Sequence, residues 1–159
     1  LIALTFDPLF KGGMKTPPRS MNENVLNKKS ITDIVVTGLL MGGSAFVAFA
    51  GTYWMSNGDA ASASTATYIM LILAQYMNIL SRRTDGFMIS DYLFKNKYLW
   101  WSMGVTMLII LGIIYSPIGQ IESVGFAPIS ISVWGIIAFM TVVMFGLVET
   151  KKYLFKKYS

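Results

Sequence analysis

Four apolar stretches, separated by polar and charged segments, set the pattern of this chain. They cover about residues 34–54, 66–80, 98–115 and 131–148. Each comes near the roughly 17–25 residues that a helix needs to cross a bilayer, the second and third at the short end. The pattern predicts an all-α membrane protein with four transmembrane helices in a bundle. Polar interruptions inside the spans are few, and the most informative ones lie in the second, STATYIMLILAQYMNILSRR. Gln75 and Asn78 stand three residues apart in its inner half, so on a helix they point the same way. A carboxamide in hydrocarbon is costly unless something hydrogen-bonds it. This face is therefore expected to look at other helices or at an ion, with Leu71, Thr67 and Ser64 continuing the stripe. Two readings stay open: interhelical glue, or part of an ion path.

The first span carries Gly38, Gly42, Gly43, Ser44, Ala48, Ala50 and Gly51. Gly38 and Gly42 have the four-residue spacing that lets two helix backbones approach closely, so this face is expected to pack on another helix. Asp33 is expected in its first turn, where negative charge suits the helix dipole. Tyr53 and Trp54 close the span at an interface, and SNGDAASAS reads as a turn. The third span has Tyr98, Trp100 and Trp101 at one end and Tyr115 at the other. Only Ser102 and Thr106 bring hydroxyls to it, so it is expected to face lipid and pack the bundle. Pro117 stops it, and Ser130 or Ser132 is placed to cap the fourth. That span is expected to end at Val148-Glu149, with Glu149 paired to Lys152 or Arg82.

Composition agrees with a membrane protein. The chain of 159 residues is 54% hydrophobic and only 13% charged, outside the range of soluble domains. It has no Cys and no His, which excludes disulfides, thiolate chemistry and histidine-dependent hydrolysis. The net charge of +5 raises the question of nucleic acid, and its placement answers against it. All 13 basic residues fall in the first segment, the middle loop and the tail. The two remaining loops, 55–65 and 116–130, hold Asp59 and Glu122 instead. This is the positive-inside distribution, which puts both termini and the middle loop in the cytoplasm. Three or five spans would break the segregation.

Residues 1–30 read as the end of a preceding helix, Leu1–Phe6, followed by a cytoplasmic connector. Residues 31–159 form the four-helix domain. In the connector, Gly12-Gly13 and Pro17-Pro18 forbid a continuous helix, and Pro17-Pro18 presents Lys15 and Arg19 on an extended segment. The opening LIALTFDP leads us to expect at least one more helix upstream.

Several stretches in this order, MKTPPRS, ILAQYMNILSRRT, FKNKYLW, SPIG and VETKKYLFKKY, resemble the C-terminal transmembrane region of type II P-type cation-transporting ATPases, the calcium and sodium/potassium pumps. The resemblance runs along essentially the whole chain. It implies that the four spans are the family's helices seven to ten, with both ends cytoplasmic. It implies as partners the upstream helices and cytoplasmic domains of the same pump, the lipid bilayer and a transported cation, with no nucleic acid. Mg and ATP are implied for the complete pump and not for this chain, which lacks the Asp-Lys-Thr-Gly-Thr phosphorylation motif and should not hydrolyse ATP alone.

Calcium pumps have a Glu ligand at the place resembling Gln75. Sodium/potassium pumps have Gln there and an Asp ligand at the place of Asn78. This chain has neither carboxylate, and both residues retain a carbonyl oxygen that coordinates more weakly. Ser81-Arg82-Arg83-Thr84 is similar to the sodium/potassium branch. The Lys15–Arg19 stretch resembles the loop beside the phosphorylation domain, and Gly38 and Gly42 resemble the glycine-rich helix that packs on the family's fifth. Glu149 matches the second acidic residue of an Asp-Glu pair whose first is replaced by Val148. The resemblance implies a cell-membrane location and a supporting role in ATP-driven cation transport. The rival reading is a stand-alone four-span scaffold or accessory subunit. Against a small coupled transporter stands the lack of charge at any span centre.

Overall fold

Four helices account for nearly all of the computed structural model, which describes residues 28–82, 94, 96–121 and 125–157. They are α1 (Lys28–Met55), α2 (Ala60–Arg82), α3 (Lys97–Tyr115) and α4 (Ile131–Lys157). Among the described residues there is no strand, and all four helices are long and apolar enough to cross a membrane. The expected all-α, four-span architecture is therefore present. The connector residues Lys15, Pro17, Pro18 and Arg19 lie outside the described residues.

The helices run past the apolar stretches that announce them. α1 begins at Lys28, which moves Asp33 out of the first turn and into the second. α2 begins at Ala60, so most of the loop read from SNGDAASAS is helix. Asp59 explains this: its carboxylate accepts from the Ala61 N–H and the Ser62 hydroxyl, and its carbonyl accepts from the Ala63 N–H. That is an N-cap, which satisfies amide groups the first turn leaves unpaired. The true turn is Ser56 to Asp59, where Asn57 (φ 55°) and Gly58 (φ 94°) adopt left-handed backbone. Asn96 caps α3 by accepting the Leu99 N–H at 3.0 Å. Ser130 stands at the cap of α4, its carbonyl accepting the Val133 and Trp134 N–H groups. α4 then continues through Glu149 to Lys157, so the basic tail extends the helix.

α1, α2 and α4 pack on one another, and α3 stands at the edge. The core includes Ala48, Ala66, Ile69, Met70, Ala74, Val133, Ile137, Met144 and Val148, with Leu99 and Ile114 joining it from α3. The most extensive contact joins α1 to α2, and these two helices bury the small residues Ala45, Ala48, Ala63 and Ala66. Small side chains let backbones approach without help from water exclusion, which is absent in lipid. Within this chain that role falls to alanines. Gly38 and Gly42 are exposed, and a Cβ at either would meet nothing within 4 Å. Several hydroxyls inside the bundle bond to carbonyls of their own helix, while the buried Thr52 hydroxyl has no hydrogen-bond partner among the described residues. Thr65, Thr67 and Thr141 donate to the carbonyls of Ala61, Ala63 and Ile137.

The two ends of the bundle differ. At the loop end, the Trp134 indole N–H donates to the Tyr115 hydroxyl at 2.9 Å, and that hydroxyl donates to the Ile129 carbonyl. The Ala127 N–H donates to Thr65 Oγ1, and Phe126 lies against Tyr68 with ring centroids 5.2 Å apart. The segment before α4 thus folds over the start of α2. α3 meets α2 through the Tyr76 hydroxyl, which donates to the Met103 carbonyl at 3.2 Å. The outer face of α3 carries an open apolar groove lined by Trp100, Trp101, Gly104, Val105 and Leu108.

Candidate functional site

α2 presents one outward stripe, Ala61, Ser64, Tyr68, Leu71, Gln75 and Arg82, all exposed on this chain. From Ala61 to Gln75 the positions recur every three or four residues, and Arg82 follows two turns on, as one face of a helix requires. Gln75 is the polar member in the middle of the span, turned away from the core that Ala66, Met70 and Ala74 make with α1 and α4. Its carboxamide faces outward, so the other helices of this chain do not bury it.

Asn78 lies at the edge of the same stripe and is half-buried. Its carboxamide oxygen accepts the Arg82 Nε–H at 3.0 Å, an i to i+4 contact one turn along the helix. The Arg82 guanidinium also reaches α1, with Nη2 3.1 Å from Asp33 Oδ2. The other oxygen of Asp33 lies 2.7 Å from Lys151 Nζ of α4. Lys151 donates as well to Thr37 Oγ1 at 2.7 Å, while the Thr37 hydroxyl donates to the Asp33 carbonyl. Asn78, Arg82, Asp33, Lys151 and Thr37 thus form one chain of polar contacts joining α1, α2 and α4.

The two ion pairs differ in weight. The Lys151 side chain is 11% exposed and that of Asp33 29%, so their pair is shielded and its loss would strand a charge. The Arg82 side chain is 52% exposed, and its pair with Asp33 is worth roughly 0–1 kcal/mol. Of the two partners that the sequence offers Glu149, namely Lys152 or Arg82, Arg82 is instead ion-paired with Asp33. Asp33, Thr37 and Lys151 were not singled out as a group by sequence reasoning. Only their positions, two on one helix and one 118 residues later on another, hide the connection. Among the described residues no cluster of three or more His, Cys, Asp or Glu side chains is placed to hold a metal ion. Gln75 and Asn78 carry neutral carboxamide oxygens.

A family model described as "Cation transporting ATPase, C-terminus" matches residues 1–154. The chain belongs to this family. The chain is also similar to a protein of Bacillus subtilis (strain 168) described as "Calcium-transporting ATPase", 31% identical over 104 residues. That match covers 65% of this chain and 12% of the relative. The chain therefore corresponds to a small part of the relative's length. No solved structure matches. As a cation-transporting ATPase C-terminus, the chain is an integral multi-pass membrane region of a P-type cation pump. Gln75 on α2 and Gly38 and Gly42 on α1 are polar or small groups that the other described helices leave uncovered.

Proposed function

We propose that this chain is the C-terminal support region of a type II P-type pump of the calcium or sodium/potassium group. In that reading α1 to α4 are the family's helices seven to ten, with both ends cytoplasmic. The observation that carries it is the Gln75 carboxamide, at mid-span on an outward face. A group of that polarity facing lipid would be costly, and an upstream helix or an ion would remove the cost. Gly38 and Gly42 offer the same upstream helices a close approach on α1. Gln75, and Asn78 beside it, supply carbonyl oxygens to the cation's path. Mg and ATP act in the cytoplasmic domains of the complete pump. The pump resides in the cell membrane.

α2 contributes no carboxylate, so its oxygens favour a monovalent ion more than calcium, which seeks several charged oxygens. The test is cation-stimulated ATP hydrolysis by the complete purified pump, with calcium, sodium and potassium titrated separately. Gln75→Ala should raise the half-activating concentration of one of these ions. Unchanged activation by all three would remove Gln75 from the path, and no stimulation of the unsubstituted pump by any of them would defeat the cation assignment.

A further inference from the structure

We propose that the segment joining α3 to α4 lies in the membrane interface, with Ile118 and Ile121 inserted among the lipids at the loop end of the bundle. Ile118 is 63% exposed and Ile121 52%. They stand three positions apart in one tight turn, and Ile131, the first residue of α4, is exposed as well. A single exposed isoleucine needs no explanation, but three around one short connection do. The outer side of α3 leads straight to them. Leu108, Ile109, Ile113 and Tyr115 are exposed along its last two turns, so the connection continues a surface that faces acyl chains.

What keeps most loops out of a bilayer is their backbone, because unpaired N–H and C=O groups are costly away from water. This segment pairs its own. The Gly119 N–H donates to the Ser116 carbonyl at 3.2 Å and the Ile121 N–H to the Ile118 carbonyl at 3.4 Å. The Gly125 N–H donates to the Ile121 carbonyl and the Phe126 N–H to the Gly119 carbonyl, both at 3.0 Å. Its other large apolar groups already turn inward, since Phe126 lies against Tyr68 and Ile129 is buried. Tyr115 and Trp134, joined by a hydrogen bond, mark the level, because amphipathic rings prefer the boundary of the bilayer. The sequence of the connection carries one charge, Glu122, which fits that boundary and not the hydrocarbon core.

The experiment measures depth in the complete pump, reconstituted in phosphatidylcholine vesicles. This chain has no cysteine, so Ile118→Cys and Ile121→Cys, in a pump freed of cysteines elsewhere, each carry one nitroxide label. Collisions with oxygen, which concentrates in lipid, are compared with collisions with a water-soluble nickel complex. Leu108→Cys on the outer face of α3 is the lipid reference, and Asn57→Cys in the turn between α1 and α2 is the water reference. Both isoleucine sites should favour oxygen, as Leu108 does, reversing the ratio found at Asn57. Ile118→Trp, which keeps a large apolar side chain and needs no label, gives a second reading. Its fluorescence should be quenched beyond the parent level by phosphatidylcholine brominated close to the carbonyl end of the chain.

Nickel preferred at either isoleucine site places the turn in water and overturns the proposal. Weak collision with both reagents overturns it too, because the isoleucines would then be covered by protein, an upstream segment or a second chain. An Ile118→Trp signal that brominated lipid leaves unchanged has the same consequence. None of these outcomes bears on Gln75 or Asn78, so the ion-path reading stands or falls by its own test.

Discussion

Lys151 and Asp33, 118 positions apart in the chain, meet at 2.7 Å and fasten the end of α4 to the start of α1. Thr37 receives a second bond from the same ammonium one turn further along α1. Asp33→Ala leaves Lys151 with one neutral acceptor in a shielded position. It should destabilise the bundle by about 2–3 kcal/mol, the scale of a charged hydrogen bond lost with its partner left behind. Arg82→Gln, at the exposed side of the same carboxylate, should cost less than about 1 kcal/mol. Reversible unfolding in mixed micelles reads both, and equal losses would contradict the difference in shielding.

Gly119 offers a sharper test of the loop end. A Cβ there would stand 2.1 Å from the Ile113 carbonyl oxygen, a backbone atom at the close of α3. The Ser116 N–H already binds that oxygen, so the turn cannot open without losing the bond. Gly119→Ala should destabilise by about 1–3 kcal/mol. Gly104→Ala, whose Cβ meets nothing within 4 Å, should be neutral or slightly stabilising because alanine favours helix. Thermal unfolding of the two variants side by side decides it.

The Asp59 cap makes α2 sensitive to acid. The Ser62 hydroxyl, and then the Ala61 and Ser62 backbone N–H groups, hold its carboxyl below the ordinary value near 3.8. The folded pKa is the lower of the two. The cap's contribution is therefore complete above the unfolded pKa and is lost as pH falls through the folded one. Carboxyl-carbon NMR of the chain should show Asp59 titrating below pH 3.8. Asp59→Asn, which retains capping geometry, should remove this pH dependence while keeping α2 intact.

The glycine face of α1 predicts a separation between packing inside the chain and assembly outside it. Gly42→Leu should reduce the activity of the complete pump, because the side chain projects from a face open on this chain. It should leave α1 and α4 in register. Ser44 and Met144, whose Oγ and Sδ lie 3.5 Å apart, report that register. Cysteines at 44 and 144 should cross-link with equal efficiency in both backgrounds. Full activity with Leu at position 42 would remove the face from assembly.

The existence of four spans was legible from the apolar stretches alone, because crossing length is a local property. The helix starts were not. The run of Ala and Ser after Asp59 reads as loop by composition, yet a cap and hydroxyls that bond back to carbonyls four residues earlier make it helix. Gln75 was found as a polar residue in an apolar span, and its outward direction follows from which side of α2 carries Ala66, Met70 and Ala74. End-of-span position offered Arg82, beside Lys152, as a partner for Glu149, but Arg82 pairs with Asp33, because α1 and α2 are the closest neighbours. Neighbourhood of helices is a tertiary fact that no single span encodes.

α3 has 19 residues, against 28 in α1 and 27 in α4. At 1.5 Å per residue it is about 28 Å long, close to the roughly 30 Å of a hydrocarbon core. The longer helices can tilt or protrude to suit the bilayer, whereas the shortest, held to the others at the edge of the bundle, has no length to spare. Hydrophobic mismatch in thicker membranes thus falls first on α3. Acyl-chain length becomes a variable to which this one helix is tuned, and the three-helix cluster beside it is largely indifferent.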